Sequence, residues 1–125
     1  LTHADEHAYR RRIERMIAED APEVPAYDPD VLAAEGAYRG DSLAVALERF
    51  RDTRSRVIDY VAAAPAEAAS RACMHALVGR LTIDEMLHEW PFHDLGHLRQ
   101  IMEILRARVC YAHIGPFQPY FNLRP

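Results

Sequence analysis

The stretch from Thr82 to about Tyr111 constrains the fold of this chain more than any other. It opens on Thr82-Ile83-Asp84-Glu85, a capping box in which the threonine hydroxyl and the glutamate carboxylate each satisfy a backbone amide of the first helical turn. One apolar stripe then reads Ile83, Met86/Leu87, Trp90, His93, His97, Ile101, Ile104, and a second reads Leu95, Leu98, Met102, Leu105, Val109. Both keep helical spacing. A helix apolar on two sides belongs at the centre of a bundle, because each stripe needs a neighbour to remove it from water. Pro91 breaks the pattern: it has no amide to donate and is expected to bend or break the helix near Leu87–Trp90.

Two more long helices are readable. Residues 1–18 place Asp5, Tyr9, Arg12/Ile13 and Met16/Ile17 on one face, with His3, Glu6, His7, Arg10 and Glu14 on a wetter one. Pro22, Pro25 and Pro29 then exclude regular structure, and Asp30 caps a short helical turn, Val31 to about Glu35, bounded by Gly36 and Gly40. Asp41 is the expected N-cap of a helix over Ser42–Ala64 that Pro65 stops. Its apolar positions are Leu43, Leu47, Phe50, Val57/Ile58 and Val61, and Arg54 falls inside that stripe. From Pro65 to Arg80 the signal is weaker and reads as one more turn and a loop. The tail, Ile114–Pro125, has three prolines and three aromatics and is expected to cross the bundle irregularly. No strand-period alternation, internal repeat or second domain is visible. The reading is all-α: a single domain over 1–125, an up-and-down helical bundle with three long helices, short connecting turns and an irregular C-terminal tail.

Composition narrows the function classes. A net charge of −4 over 125 residues argues against a nucleic-acid partner, which calls for a basic excess. No apolar run approaches the roughly 20 residues of a membrane span, and no secretory signal opens the chain. The two cysteines, Cys73 and Cys110, form no CxxC pair, which suits a reducing cytoplasm. Neither has the basic setting that activates a thiolate, and Cys110 reads as core. All 15 basic residues are arginine, a bias of GC-rich bacterial genomes that speaks to source, not function.

His93 and His97 carry the most chemical information. Four apart on a helix, their Cβ atoms lie about 5–6 Å from one another, a spacing at which two imidazoles can hold one divalent ion. Both fall on the inward stripe, where a metal would accept a lone pair from each ring. The alternative is one hydrogen-bonded core histidine and one at the rim. A zincin would carry glutamate directly after the first histidine, whereas Asp94 stands there and Gly96 follows. A di-iron bundle needs Glu-x-x-His on two helices, and only Glu85-Met86-Leu87-His88 has that spacing. A mononuclear site with a third ligand from a neighbouring helix remains. Glu89, Asp94 and Gln100 could each orient a ligand by hydrogen bonding, though Glu89 reads better as a solvated helix residue. Asp5 and Arg54 either pair between helices or Arg54 reaches solvent alone. His3 and His7 read as surface residues, and His75, His88 and His113 have no useful helical partner.

His93-Asp94-Leu95-Gly96-His97-Leu98-Arg99-Gln100-Ile101 resembles the H-x-x-x-H-x-x-Q-I segment of the DinB-like (DinB/YfiT-like) superfamily of metal-binding four-helix bundles. Asp5, Tyr9, Arg12 and Ile13 match an early helix of that family, Arg54 its middle-helix arginine, and Gly79 with Thr82 its Gly-x-x-Thr before the last long helix. The match covers nearly the whole chain. The resemblance implies a three-histidine nickel or zinc site in which His93 and His97 are two ligands. The first ligand, with the family's whole first helix, would fall before Leu1, so the domain is expected to be N-terminally truncated or to lack that ligand. His3 is a poor substitute, because using it would put Ala8 where the family's acid belongs.

Two functions follow as expectations. One is a metal-dependent thiol S-transferase or isomerase of the bacillithiol or mycothiol type, acting on an electrophilic substrate. The other is a non-catalytic helical binding or scaffold bundle, with metal absent or structural. A cytoplasmic homodimer fits either.

Overall fold

The structure, a computed structural model, describes residues 2, 4–26, 28, 30, 31, 34, 40 and 42–121. It contains two compact units, Leu1–His88 and Glu89–Pro125. The fold is helical, with one small sheet. In the first unit a π-helical stretch, Ala4–Arg10, runs into α1, Arg11–Ala18. Helix α2 is Leu43–Ala62, and a 3-10 turn, Ala66–Ser70, leads to the hairpin of β2, Ala72–His75, and β3, Gly79–Thr82. Strand β1, Glu23–Val24, pairs parallel to β2, and β2 pairs antiparallel to β3. Helix α3, Ile83–Ile104, starts in the first unit and continues in the second. No helix among the described residues is long and apolar enough to cross a membrane.

The N-terminal helical face packs as its spacing predicts. Tyr9, Ile13 and Met16 are buried, as is Val57 on α2, and each such side chain contributes about 1.5–3 kcal/mol on leaving water. Asp5 lies on the same face, with a side chain 1% exposed. Arg54 meets it with a two-pronged clasp, Nε to Oδ2 at 2.7 Å and Nη2 to Oδ1 at 2.9 Å, and its guanidinium lies 4.9 Å from the centre of the Phe50 ring. Of the two expectations for Arg54, the inter-helix pair is the one realised. On the outer side Arg10 bridges Glu6 and Glu14, at 2.8 and 2.9 Å.

The capping box forms as expected. Thr82 donates its amide and its hydroxyl to Glu85 Oε2, at 2.8 and 2.7 Å, and the Glu85 amide donates to Thr82 Oγ1 at 3.1 Å. These bonds from Thr82 hold the Glu85 carboxyl below its ordinary pKa.

Several expectations are corrected. The stretch before the capping box is a hairpin, not a turn and loop: the short strands bury Cys73, and Gly79 takes φ +75° at the tight end, a conformation that suits a residue without Cβ. Parallel pairing to β1 is closed by the amides of Met74 and Ala76, which donate to Pro22 and Val24 carbonyls at 2.9 and 3.1 Å. Helix α2 is capped by Ser42, whose Oγ accepts from the Val45 amide at 3.3 Å. Asp41, His3 and the short helix expected over Val31–Glu35 lie partly or wholly outside the described residues. On α2 itself Leu43, Leu47 and Ile58 are exposed, while Thr53 and Val57 are buried.

Helix α3 does not break at Pro91; the proline costs one backbone hydrogen bond, which the burial of Ile83, Met86 and Trp90 on the turns before it offsets. The first stripe is buried at Ile83, Met86 and Trp90, but the second, from Leu95 to Val109, is between 48% and 63% exposed at its five positions. Cys110 is exposed. The tail folds on itself: Gln118 Nε2 donates to the Tyr111 carbonyl at 2.9 Å and Tyr111 Oη to that of Gln118 at 3.3 Å. Phe117, Tyr120 and Phe121 remain exposed.

Replacing Arg54 with methionine strands a buried carboxylate and is expected to lower unfolding stability by about 3–5 kcal/mol, read by urea denaturation. Asp5→Leu in the same chain should recover most of that loss. Thr82→Ala is expected to cost about 1 kcal/mol. Because the Glu85 pKa is lowered on folding, the bonds to Thr82 stabilise above the ordinary glutamate range. Their contribution is lost as pH falls through the folded value, so the gap between Thr82→Ala and the parent should narrow in acid.

Candidate metal centre

His93 and His97 both lie in the second unit, on consecutive turns of α3. Rings four residues apart on one helix stack along its axis, and here they meet edge to face, with centroids 4.5 Å apart and planes at 78°. Their Nε2 atoms are 3.2 Å apart. Each ring therefore directs a nitrogen at the same small region. The His93 side chain is 23% exposed, so the region is shielded but reachable.

The rest of the turn sets the tautomers. Gln100 Oε1 accepts from His97 Nδ1 at 2.9 Å. With the proton held on Nδ1, the lone pair of His97 is on Nε2, the atom facing His93. Asp94 Oδ1 lies 3.9 Å from His93 Nδ1, too far for a hydrogen bond; with His97 Nε2 as acceptor, the contact between the two Nε2 atoms is a hydrogen bond that His93 donates, and a cation between them would take the place of that proton. The pair thus meets one test for a shared cation. Two metal–nitrogen bonds of about 2.0–2.1 Å meeting at a tetrahedral angle separate their nitrogens by about 3.3 Å, close to the 3.2 Å found.

Of the residues that the sequence singles out, this turn brings together His93, His97, Gln100 and Asp94. Glu89 is exposed, and Asp5 with Arg54 belongs to the first unit. Among the described residues no set of three His, Cys, Asp or Glu side chains gathers as a metal would require. His88 Nδ1 sits 2.9 Å from the Asp84 carbonyl and 3.7 Å from its carboxylate; the i,i+4 spacing of Asp84 and His88 signals this pairing, which sequence analysis passed over.

A family model described as the DinB superfamily matches residues 2–101, a span that includes both imidazoles and Gln100. No curated protein matches the chain.

The Gln100 bond predicts that His97 is protonated on Nδ1 at neutral pH, visible in the nitrogen chemical shifts of the ring. In Gln100→Ala that preference should weaken, while the His88 ring, bonded elsewhere, should keep its shifts.

Proposed function

The chain belongs to the DinB superfamily, and on that premise we propose that it holds a divalent cation, nickel or zinc, between His93 and His97 and uses it to activate a small thiol for S-transfer or isomerisation. Membership of a family fixes the fold and leaves the reaction to the site. The observation that carries the reading is the pair of Nε2 atoms 3.2 Å apart, one of them presented by the Gln100 hydrogen bond.

When bound, such a cation lowers the pKa of a coordinated thiol, so that a thiolate of the bacillithiol or mycothiol type is available at neutral pH to attack an electrophile. The part of this chain is to present lone pairs. His97 is already in the required tautomer through Gln100. For His93 the proton must sit on Nδ1, the nitrogen facing Asp94, when Nε2 gives its lone pair. Neither histidine is then free to serve as general acid or base. The second reading, a non-catalytic bundle, is favoured by the absence of a third gathered donor among the described residues.

Calorimetric titration separates the readings. One nickel or zinc ion per chain should bind, His97→Ala should abolish binding, and Gln100→Ala should weaken it about 10- to 100-fold. Affinity should fall on acidification, because a protonated imidazole has no lone pair to give. Adding a small thiol to the nickel-loaded protein should produce a sulfur-to-metal charge-transfer band. Unchanged affinity in His97→Ala would remove the site; metal binding without the thiol band would leave the non-catalytic reading.

A further inference from the structure

The imidazole pair sits partway along one apolar line of α3, and the line differs on its two sides. Ile83, Met86 and Trp90, on the turns before His93, are buried. Ile101, one turn after His97, and Ile104, on the turn after that, keep the same helical spacing but are 48% and 56% exposed. By the rise of a helix they stand about 6 and 10 Å beyond His97 along the axis. Bonds from Cα to Cβ tilt toward a helix's N-terminal end, which leans both isoleucines back toward the rings. The two histidines and the two isoleucines all belong to the second unit.

Helix propensity gives no reason for isoleucine here, since β-branched side chains are slightly disfavoured in helices. Each leaves apolar surface in water that a bound molecule can cover with a gain in free energy. The strip is also narrow. Two isoleucines offer far less than the about 800 Å² that each partner brings to a stable protein interface, so a small molecule fits it better than a protein. Met102, 60% exposed, lies about 100° round the helix from Ile101, on the other exposed stripe, and serves as the comparison.

We propose that the electrophile taken by this centre carries an apolar body that lies along Ile101 and Ile104, with its reactive end at the imidazole pair. The inference rests on the reading of His93 and His97 as ligands and adds the class of molecule accepted there. Continuity assigns the strip to the electrophile: it begins one turn from His97 on the same line of the helix. A thiol of the bacillithiol or mycothiol type is polar, so the apolar surface suits the other substrate.

The test loads the full chain with nickel and uses straight-chain alkylthiols, from ethanethiol to hexanethiol, whose sulfur fixes one end of the probe at the centre. Binding is read from the sulfur-to-nickel charge-transfer band and needs no turnover. Affinity should climb about 2- to 4-fold with each added methylene, the gain for a group that leaves water for an apolar surface. Ile101→Ser and Ile104→Ser, at exposed positions, should keep helix content and nickel affinity while flattening the climb; Met102→Ser should leave it as it is. Affinity independent of chain length, a full climb in Ile101→Ser/Ile104→Ser, or equal flattening by Met102→Ser would overturn the proposal with the cation site intact. No nickel uptake by the parent chain would remove the cation site and this proposal together, and nickel uptake with no thiol band at any length would remove the thiol chemistry and the proposal with it.

Discussion

A carboxylate that water cannot reach has to be answered by a cation, and in the first unit this requirement fixes how two helices meet. Asp5 is sealed inside the interface between the N-terminal helix and α2, and Arg54 supplies both prongs of the answer. Sliding either helix by one residue would turn one of the two groups away and leave the other unpaired, at a cost larger than most single core contacts. The pair therefore selects the register in which Ile13 and Met16 face inward on one helix and Val57 on the other. A hydrophobic pair of equal volume could stabilise the interface as well, yet it would tolerate neighbouring registers. Specificity is what the ion pair adds here, and the anchoring of Arg54 over the Phe50 ring supports it from the second side.

What the sequence made legible follows from how local each signal is. The capping box is a four-residue device whose partners are chosen before any tertiary contact forms, and Thr82 and Glu85 make the expected bonds. His97 and Gln100, three apart on a helix, meet for the same reason. Arg54 was marked by being out of place in an apolar stripe, which is how a buried charge with a distant partner betrays itself. The sheet was not legible: β1 has two residues and β2 and β3 four each, too short for alternation to accumulate, and the pairing of β1 with β2 joins segments some fifty positions apart. Periodicity also shows which faces are apolar without showing which of them are covered. Leu43 and Leu47 on α2 and the second stripe of α3 are apolar and exposed. The helix runs on through Pro91 because one missing hydrogen bond is a smaller term than the packing of Met86 and Trp90 on the turn before it.

The imidazole pair illustrates a different limit. Helix geometry alone brings two rings to ligand spacing, so the distance between their Nε2 atoms is weak evidence by itself. Gln100 reaches Nδ1 of His97 through the same helix spacing, and the hydrogen bond orients the ring whether or not a cation is held beyond it. The family match over residues 2–101 locates this turn within a recognised fold, but the number of donors, and not the fold, decides whether a cation held there is tight enough to do chemistry.

Arginine's part in the first unit follows from its shape. Arg54 joins helix to helix; Arg71 reaches back to the carbonyls of Met16 and Glu19 at the end of α1; Arg12 and Arg15 tie α1 to the backbone around β1. Each of these contacts uses a planar fork with several fixed donors, and a lysine ammonium, as a strongly hydrated point charge, could satisfy one acceptor but not span two. A chain whose cations are all arginine can therefore use the same side chain repeatedly as a structural clamp between distant segments, and for Arg54 and Arg71 the fork's acceptors are supplied from within the fold.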